Sequence, residues 1–399
     1  MSKSKRRGAP KKAKKAKRHN FGRKSKINPS LLVKKATKNQ DEIYTSSRFF
    51  DEFPLNEKFK ENLKKKGYIK PTEIQDKTFD FLMQKRDVLG IAQTGTGKTA
   101  AFLIPIIERT LRLKRKPFAV VVVPTRELAL QIDKEFKSIT KGLNLYSSCF
   151  IGGTNINKDF QTLRRTSHVI IGTPRRLLEL IKHKALDIRE VNTLVLDEFD
   201  KMLSLGFLKE IEHITGVMHR RQHTMLFSAT LEQKQLPLIR EILYNPITVK
   251  LSKSTTTGEH INQDVIEYIS TEDKLKKLIE LLKKYEGSKT LIFEETKSDV
   301  ETLWEQIKTN GIDATYLHGD LPQKERTKSL QDFETGKKTI LVATDIASRG
   351  IDVSDISLVV NYQIPLSFDN YIHRIGRTGR VGKVGQAITF VAKLDNKQI

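Results

Sequence analysis

The chain has 399 residues, with 72 Lys and Arg against 47 Asp and Glu, a formal charge of +25. At roughly 100–200 residues per domain, that length suits about two to four domains and excludes a mini-protein that must be stapled to fold. A single cysteine, Cys149, excludes an intramolecular disulfide and fits a reducing compartment. The longest apolar run, around Phe118–Val123, is strand-sized and far short of the ~18 residues of a membrane span. The N-terminus lacks the apolar stretch of a signal peptide. A cytoplasmic protein with no membrane contact is expected, and the basic cluster Lys11–Arg18 leaves nuclear import open.

Residues 1–40 hold sixteen Lys or Arg and no acid, leaving +9 on the other 359. A polyanionic partner is therefore expected, with the tail supplying most of the attraction. From Met1 to about Lys26 the only aromatic is Phe21, and such a segment cannot bury enough surface to offset its ordering entropy. It is expected to be disordered when unbound. Pro29–Ala36 sets Leu31, Leu32 and Val33 behind Asn28 or Ser30 as candidate caps, which predicts one or two helical turns.

From about Arg48 the pattern alternates. Short β-branched runs at Val88–Ala92, Phe118–Val123, His168–Ile171, Thr193–Leu196 and Thr224–Phe227 are separated by segments of helical periodicity such as Arg126–Ile139. The series restarts with Thr290–Phe293, Ala314–His318, Thr339–Ala343, Leu358–Tyr362 and Gln386–Val391. Such alternation predicts an α/β fold of two tandem domains, each a mainly parallel sheet flanked by helices. The polar stretch Leu251–His260 has no apolar face and reads as a linker. The expected organisation is a basic tail over 1–47, a first domain over 48–250, a linker over 251–262 and a second domain over 263–399.

Three clusters carry chemistry. The strand Val88–Ala92 runs into Gln93-Thr94-Gly95-Thr96-Gly97-Lys98-Thr99 and a helix-like Ala100–Ile104. Glycines permit a tight turn, backbone N–H groups face phosphates, Lys98 neutralises their charge and the Thr99 hydroxyl can hold Mg²⁺. The general phosphate-loop formula wants Gly where this chain has Ala92, and a Gly-rich turn without ligand is the alternative. Ninety-nine residues after Lys98, the strand Thr193–Leu196 ends in Asp197-Glu198. An acid there needs a cation, so Asp197 reads as a Mg²⁺ anchor and Glu198 as the group that orients or deprotonates a water; a helix N-cap is the alternative. Third, His373-Arg374-Ile375-Gly376-Arg377-Thr378-Gly379-Arg380 interleaves arginines with glycines. It suits bidentate contact with a phosphate in the other domain, or else is an exposed basic turn.

Taken in order, these motifs resemble the DEAD-box RNA helicases of helicase superfamily 2 over about residues 48–395. Phe50 stands seventeen residues before Gly67-Tyr68-Ile69-Lys70-Pro71-Thr72-Glu73-Ile74-Gln75, similar to the family's adenine-reading Q motif. Ala92–Thr99 resembles its phosphate loop, Ala included. Pro124-Thr125-Arg126-Glu127-Leu128, Gly152-Gly153 and Thr173-Pro174-Arg175-Arg176 resemble its first-domain RNA motifs, and Ser228-Ala229-Thr230 its coupling motif. Gln323 and Arg326, Ala343–Asp352 and His373–Arg380 complete the set in the second domain.

The resemblance implies two RecA-like domains with ATP and Mg²⁺ in the cleft between them, and RNA-stimulated ATP hydrolysis coupled to local, non-processive unwinding of short RNA duplexes. It implies ATP contacts at Phe50, Gln75, Ala92–Thr99, Gly350 and Asp352, and catalysis by Lys98, Asp197, Glu198, Arg377 and Arg380. Thr99 and Asp197 would hold Mg²⁺, partly through water. RNA would be held largely without regard to sequence by Pro124, Thr125, Arg126, Gly153, Thr173, Pro174, Arg176, Gln323, Arg326 and Thr344. Asp200, Ser228, Thr230 and His373 would couple nucleotide state to domain closure. A monomer is expected, with ribosomal or ribonucleoprotein partners left open.

Two positions depart from the family pattern. Phe199 stands where the signature has Ala, which leaves the carboxylates intact but bears on packing beside Ser228-Ala229-Thr230; a slowed or inactive enzyme is the alternative. Arg175 stands where Gly is usual, which bears on how closely backbone approaches RNA. Two other readings compete: a superfamily 2 DNA helicase or translocase, and an RNA-binding scaffold with a degenerate nucleotide site. The tail reads as an auxiliary electrostatic anchor. Deleting residues 1–26 is expected to weaken RNA affinity and flatten its salt dependence while leaving the maximal ATPase rate intact; an unchanged salt slope in a titration would refute the anchor.

Overall fold

The computed structural model describes residues 27–28, 32–36, 44–93, 95–113, 118–251, 260–348, 355–379 and 384–393. The tail up to Lys26, the linker residues 252–259, and Thr94, Gly350, Asp352 and Arg380 lie outside them.

Thirteen strands are described: β1 (Val88–Ile91), β2 (Ala119–Val122), β3 (Ser147–Phe150), β4 (Val169–Gly172), β5 (Thr193–Leu196), β6 (His223–Ser228), β7 (Ile247–Lys250), β8 (Ile261–Tyr268), β9 (Thr290–Glu294), β10 (Thr315–Leu317), β11 (Ile340–Thr344), β12 (Leu358–Asn361) and β13 (Gly385–Ala392). They form two sheets, ordered β3-β4-β2-β5-β6-β1-β7 and β10-β11-β9-β12-β13-β8. Every strand pair within them is parallel. The expected pair of parallel α/β domains is what the chain forms.

Period-two geometry explains why the central strands read as unbroken apolar runs. In β2, Ala119 and Val121 enter one core with Phe102, Ile132 and Phe136, whereas Val120 and Val122 enter the opposite core with Leu180, Leu194 and Phe199. In β11, Ile340 and Val342 face Leu278, Val300 and Leu303, while Leu341 and Ala343 face Leu317 and Phe333. Burying each such side chain stabilises the fold by about 1.5–3 kcal/mol before its ordering cost.

Three strands, β3, β7 and β8, are absent from the sequence-based set. All three lie at sheet edges. Burial alternates in β3 and in β7, where Ile247 is half-buried, Thr248 exposed, Val249 buried and Lys250 exposed, while β8 is buried only at Ile261 and Gln263. β8 starts at Ile261, inside the stretch assigned to the linker. Of the segment Pro29–Ala36, expected to form one or two helical turns, residues 29–31 lie outside the described residues and Leu32 belongs to a 3-10 turn. Lys34 makes an antiparallel bridge to Gln263 of β8, and Leu32 is fully buried against the second domain. Among the described residues, no helix is long and apolar enough to cross a membrane.

Register places the chemistry. Ile91 of β1 pairs with Ser228 of β6, and Leu196 of β5 with Leu226. The segments after β1, β5 and β6 therefore leave the same, carboxyl, edge of the first sheet side by side, where parallel α/β proteins bind ligands.

Candidate nucleotide site and inter-domain interface

The loop after β1 ends at Lys98, the first residue of the helix Lys98–Leu113. Gly97 has φ +92°, and a Cβ there would lie 2.5 Å from Gln75 Nε2 and 2.7 Å from Thr72 Oγ1, so only glycine fits. Gln75 opens the helix Glu73–Met83: its Oε1 accepts from the Thr72 N–H at 2.9 Å and its Nε2 donates to the Gly97 carbonyl at 3.0 Å. Two bonds leave one amide N–H and one acceptor lone pair over. Gln75 thus links the Q-motif turn to the phosphate loop directly. Lys98 Nζ, 6% exposed as a residue, lies across the loop and donates to the Ala92 carbonyl at 2.9 Å. Thr96 Oγ1 donates to the Gln93 carbonyl, and Thr99 is half-buried on the first helical turn.

Phe50 is placed differently from a ring exposed to stack on a base. It is buried, with edge contacts to Phe53 and Tyr68, and its N–H donates to the Ile69 carbonyl. The neighbouring Phe49, passed over in the sequence, is exposed and carries Lys70 4.7 Å from its ring centre. An aromatic pair reads alike in a sequence; the core decides which ring turns inward.

Asp197 and Glu198 leave β5 almost wholly buried, at 2% and 4% exposure. Burial pushes the Asp197 pKa up to about 6, with the Lys98 charge pulling back. Burial presses on Glu198 in the same direction, but Lys201, Lys98 and Arg377 outweigh it and hold its pKa below the usual range. Lys201 Nζ sits 2.6 Å from Glu198 Oε1, while Glu198 Oε2 is buried with no hydrogen-bond partner among the described residues. Glu198 has φ 54° and ψ 49°, a left-handed conformation costing a non-glycine residue roughly 1–2 kcal/mol.

The Asp200 carboxylate accepts from Thr230 N–H at 3.1 Å and Thr230 Oγ1 at 2.9 Å, and the Asp200 N–H donates to Ser228 Oγ at 3.3 Å. The first-domain residues expected to couple nucleotide state to closure are therefore in contact. Phe199 points the other way, fully buried with Met202, Leu196 and Leu226.

In the second domain the arginines separate by role. Arg374 is buried and binds Asp345 through two bonds of 2.6 and 2.7 Å, and also donates to Asn361 Oδ1 and the Gln363 carbonyl. It joins the ends of β11 and β12 to the helix Phe368–Ile375. Arg377, 5% exposed, lies near enough to Glu198 and Lys201 of the first domain for its charge to act on both. His373, on that same helix, is half-buried.

The expected RNA residues lie around a direct contact between the domains. Thr125 caps the helix Arg126–Ile139 by accepting from the Leu128 N–H, behind buried Pro124. Gly153 has φ +77°, and a Cβ there would overlap the Arg126 guanidinium. Arg126 Nη1 donates to Gln323 Oε1 at 3.2 Å across the interface. Arg326 meets Glu127 at 2.6 and 3.0 Å, both side chains being at most 7% exposed. Gln323 and Arg326 are thus engaged with the first domain. Thr173 and Pro174 open the helix Pro174–Lys182, and Arg176 is 5% exposed, donating to the carbonyls of Ile151 and Thr154 and facing Asp159 at 3.6 Å. Arg176 shapes the Gly152-Gly153 loop from behind. Arg175 turns aside to Glu210 at 3.4 Å and the Phe207 ring, so its bulk does not fill that loop. Thr344, at the end of β11, is 8% exposed.

Comparison with known proteins agrees with this geometry. The DEAD/DEAH box helicase family model matches residues 72–238, and the helicase conserved C-terminal domain matches residues 273–382. The DEAD-box ATP-dependent RNA helicase CshA of Streptococcus pneumoniae is 39% identical over 86% of this chain and 65% of that protein, so the chain spans less than two thirds of that relative's length. The ATP-dependent RNA helicase SrmB of Escherichia coli is 38% identical over 87% of this chain and 79% of its own. Among solved structures, Saccharomyces cerevisiae Dbp5 bound to RNA and ADP BeF3 superposes with a TM-score of 0.78 at 31% identity, covering 87% and 90% of the two chains. A DEAD box protein from Methanococcus jannaschii, 35% identical with 88% and 94% covered, reaches 0.51. The chain belongs to the DEAD/DEAH box helicase family.

The Glu127–Arg326 pair is buried between the domains, so leaving one partner unpaired costs more than removing both. Glu127→Met or Arg326→Met alone is expected to widen the separation of fluorophores placed one on each domain. The double variant should be less open than either single one, and an additive double variant would contradict the pairing.

Proposed function

We propose that the chain is an ATP-dependent RNA helicase that hydrolyses ATP when RNA holds its two domains together. The observation that carries this reading is the split site. Lys98, Asp197 and Glu198 stand on one domain, Arg377 from the other acts on Glu198, and Asp200 ties the acidic segment to Ser228 and Thr230. Neither domain alone holds the whole set. Ligands that touch both domains then favour the same closed arrangement, and each raises affinity for the other.

The residues present fit Mg²⁺ and a nucleotide. Asp197 is a buried carboxylate in need of positive charge, and the Thr99 hydroxyl stands on the helix that opens at Lys98. Bound there, Mg²⁺ would neutralise charge on the phosphates. Lys98 must exchange the Ala92 carbonyl for a phosphate oxygen, and Gln75 has an amide donor and acceptor left for the adenine edge. Glu198 Oε2 offers an acceptor to the attacking water, and Arg377 meets the charge that develops on the transferred group. Arg380, Gly350 and Asp352 keep the roles that the family resemblance gives them.

RNA would cross the two domains near Arg126, Gly153, Thr173 and Thr344, with backbone contacts that ignore base sequence. Arg176, Gln323 and Arg326 would act mainly by holding that surface in shape. The likeness to a protein bound to RNA and ADP BeF3, over 87% of this chain, supports a closed arrangement.

Glu198→Gln is expected to lower RNA-stimulated ATP turnover about 10²–10⁴-fold, the usual contribution of such a group, while RNA retention with a non-hydrolysable analogue persists. Equal turnover for native chain and variant would favour the scaffold reading, and equal stimulation by DNA and RNA the DNA helicase reading.

A further inference from the structure

Lys201 is not among the residues that the motifs assign to chemistry, yet it is 4% exposed and its Nζ lies 2.6 Å from Glu198 Oε1. A lysine is seldom buried this deeply unless it is paired. The pair is i,i+3 on the short helix Phe199–Ser204 and its cap. Its backbone is fixed too, since the Lys201 N–H donates to the Glu198 carbonyl at 3.0 Å and to Asp200 Oδ1 at 3.0 Å. The carboxylate is therefore held by one oxygen, and the other, Oε2, is buried with no hydrogen-bond partner among the described residues. Arg377 bears on the same two groups from the second domain.

We propose that Lys201 is a positioning residue for hydrolysis: it clamps Glu198 Oε1 so that Oε2 alone faces the attacking water. A carboxylate on a long side chain otherwise samples several rotamers, of which few aim at one point. The ammonium removes that freedom without touching the nucleotide. This inference rests on the ATP-hydrolysis reading above. Lys201→Met is expected to lower RNA-saturated kcat about 30-fold, below the full loss of a general base, with KM for ATP and the Kd of a non-hydrolysable analogue changed less than about 2-fold. Lys201→Arg should recover most of the rate, since it keeps a cation at that place. In a crystal structure of Lys201→Met the Glu198 carboxylate should leave its present rotamer. Loss of analogue affinity in step with kcat, or an unmoved Glu198, overturns the proposal. A native chain with no turnover counts instead against the ATPase reading, and the crystallographic result still decides the role of Lys201.

A separate observation concerns the segment before the first domain. Lys34 and Gln263 exchange two backbone hydrogen bonds, 3.0 and 2.7 Å, and the Ala36 N–H donates to Asn262 Oδ1 at 2.9 Å. Leu32 is wholly buried among Ile261, Tyr371, Ile375 and Ala387. Tyr371 and Ile375 belong to the helix that carries Arg374, and Tyr371 OH donates to the Gln263 side chain at 3.0 Å. Eight residues on, Tyr44, Ser46 and Arg48 bind Asp76 and Asp80 of the first domain. The eight links from Ala36 to Tyr44 reach at most about 28 Å.

We infer that residues 32–36 are a strap that docks on the edge of β8 and limits how far the domains can part. In the full chain, Leu32→Asp sets a carboxylate in an apolar pocket and is expected to undock it. Amide exchange at Gln263 should then quicken at least about 10-fold, and the nucleotide-free radius of gyration should rise. Leu32→Ala should give a smaller change in the same direction. Gln263 exchange that is unchanged in Leu32→Asp overturns the strap, whatever the ATPase does.

Discussion

Two carboxylates leave the end of β5 side by side with almost no access to water, and much of the site follows from keeping them charged. Burial raises the energy of both ionised forms. They part ways through their neighbours. Burial presses on both, but Glu198 has Lys201 in contact, with Lys98 and Arg377 adding to it, and its pKa falls. Asp197 has Lys98 as its main compensation, a smaller pull from Lys201 and the repulsion of Glu198, and its pKa rises to about 6. The first carboxylate is thus left wanting a cation and the second is already supplied with one. That difference is in keeping with the proposed division of labour, a metal at Asp197 and the attacking water at Glu198.

Charge compensation also explains why the site is divided. One of the cations acting on Glu198 belongs to the second domain, so separating the domains removes part of what keeps that carboxylate ionised. The same design recurs where Glu127 and Arg326 meet, a pair whose low exposure exists only while the domains touch. Beside it, burial and the nearby Arg326 both oppose the charge on Arg126. Crowded cations with few acids are a standing cost that a polyanion across the interface would relieve. Under the proposed function, that relief would let RNA favour closure through charge, without any base being read.

The fold was legible where burial is two-sided and obscure where it is one-sided. β2 and β5 announce themselves because both faces are covered, whereas β3, β7 and β8 are edge strands whose polar positions break the run. The turn after β1 and Asp197-Glu198 stood out because the chemistry expected of them needs particular residues at particular places. Which arginine does what was not. Arg374, Arg175 and Arg176 each read as a basic residue in a motif. Their roles as a strut to Asp345, a surface pair with Glu210 and a brace behind Gly153 depend on partners far off in sequence. Lys201 escaped notice for the same reason: one lysine among many has no signature until its burial is known.

Phe199, the departure from the family signature, packs away from the acidic residues beside it. The helix Phe199–Ser204 has six residues, too few to be stable by its own hydrogen bonds. It must be held by packing. Phe199 and Met202, three apart, are both fully buried in the apolar cluster beneath the sheet, while Asp200 and Lys201 turn toward Thr230 and Glu198. A ring at the Ala position therefore adds to the anchored face of the helix and takes no room from the working face. Its burial with Met202 anchors the short element on which Glu198, Asp200 and Lys201 depend for their geometry, so this position bears on the packing beneath the carboxylates rather than on either carboxylate directly.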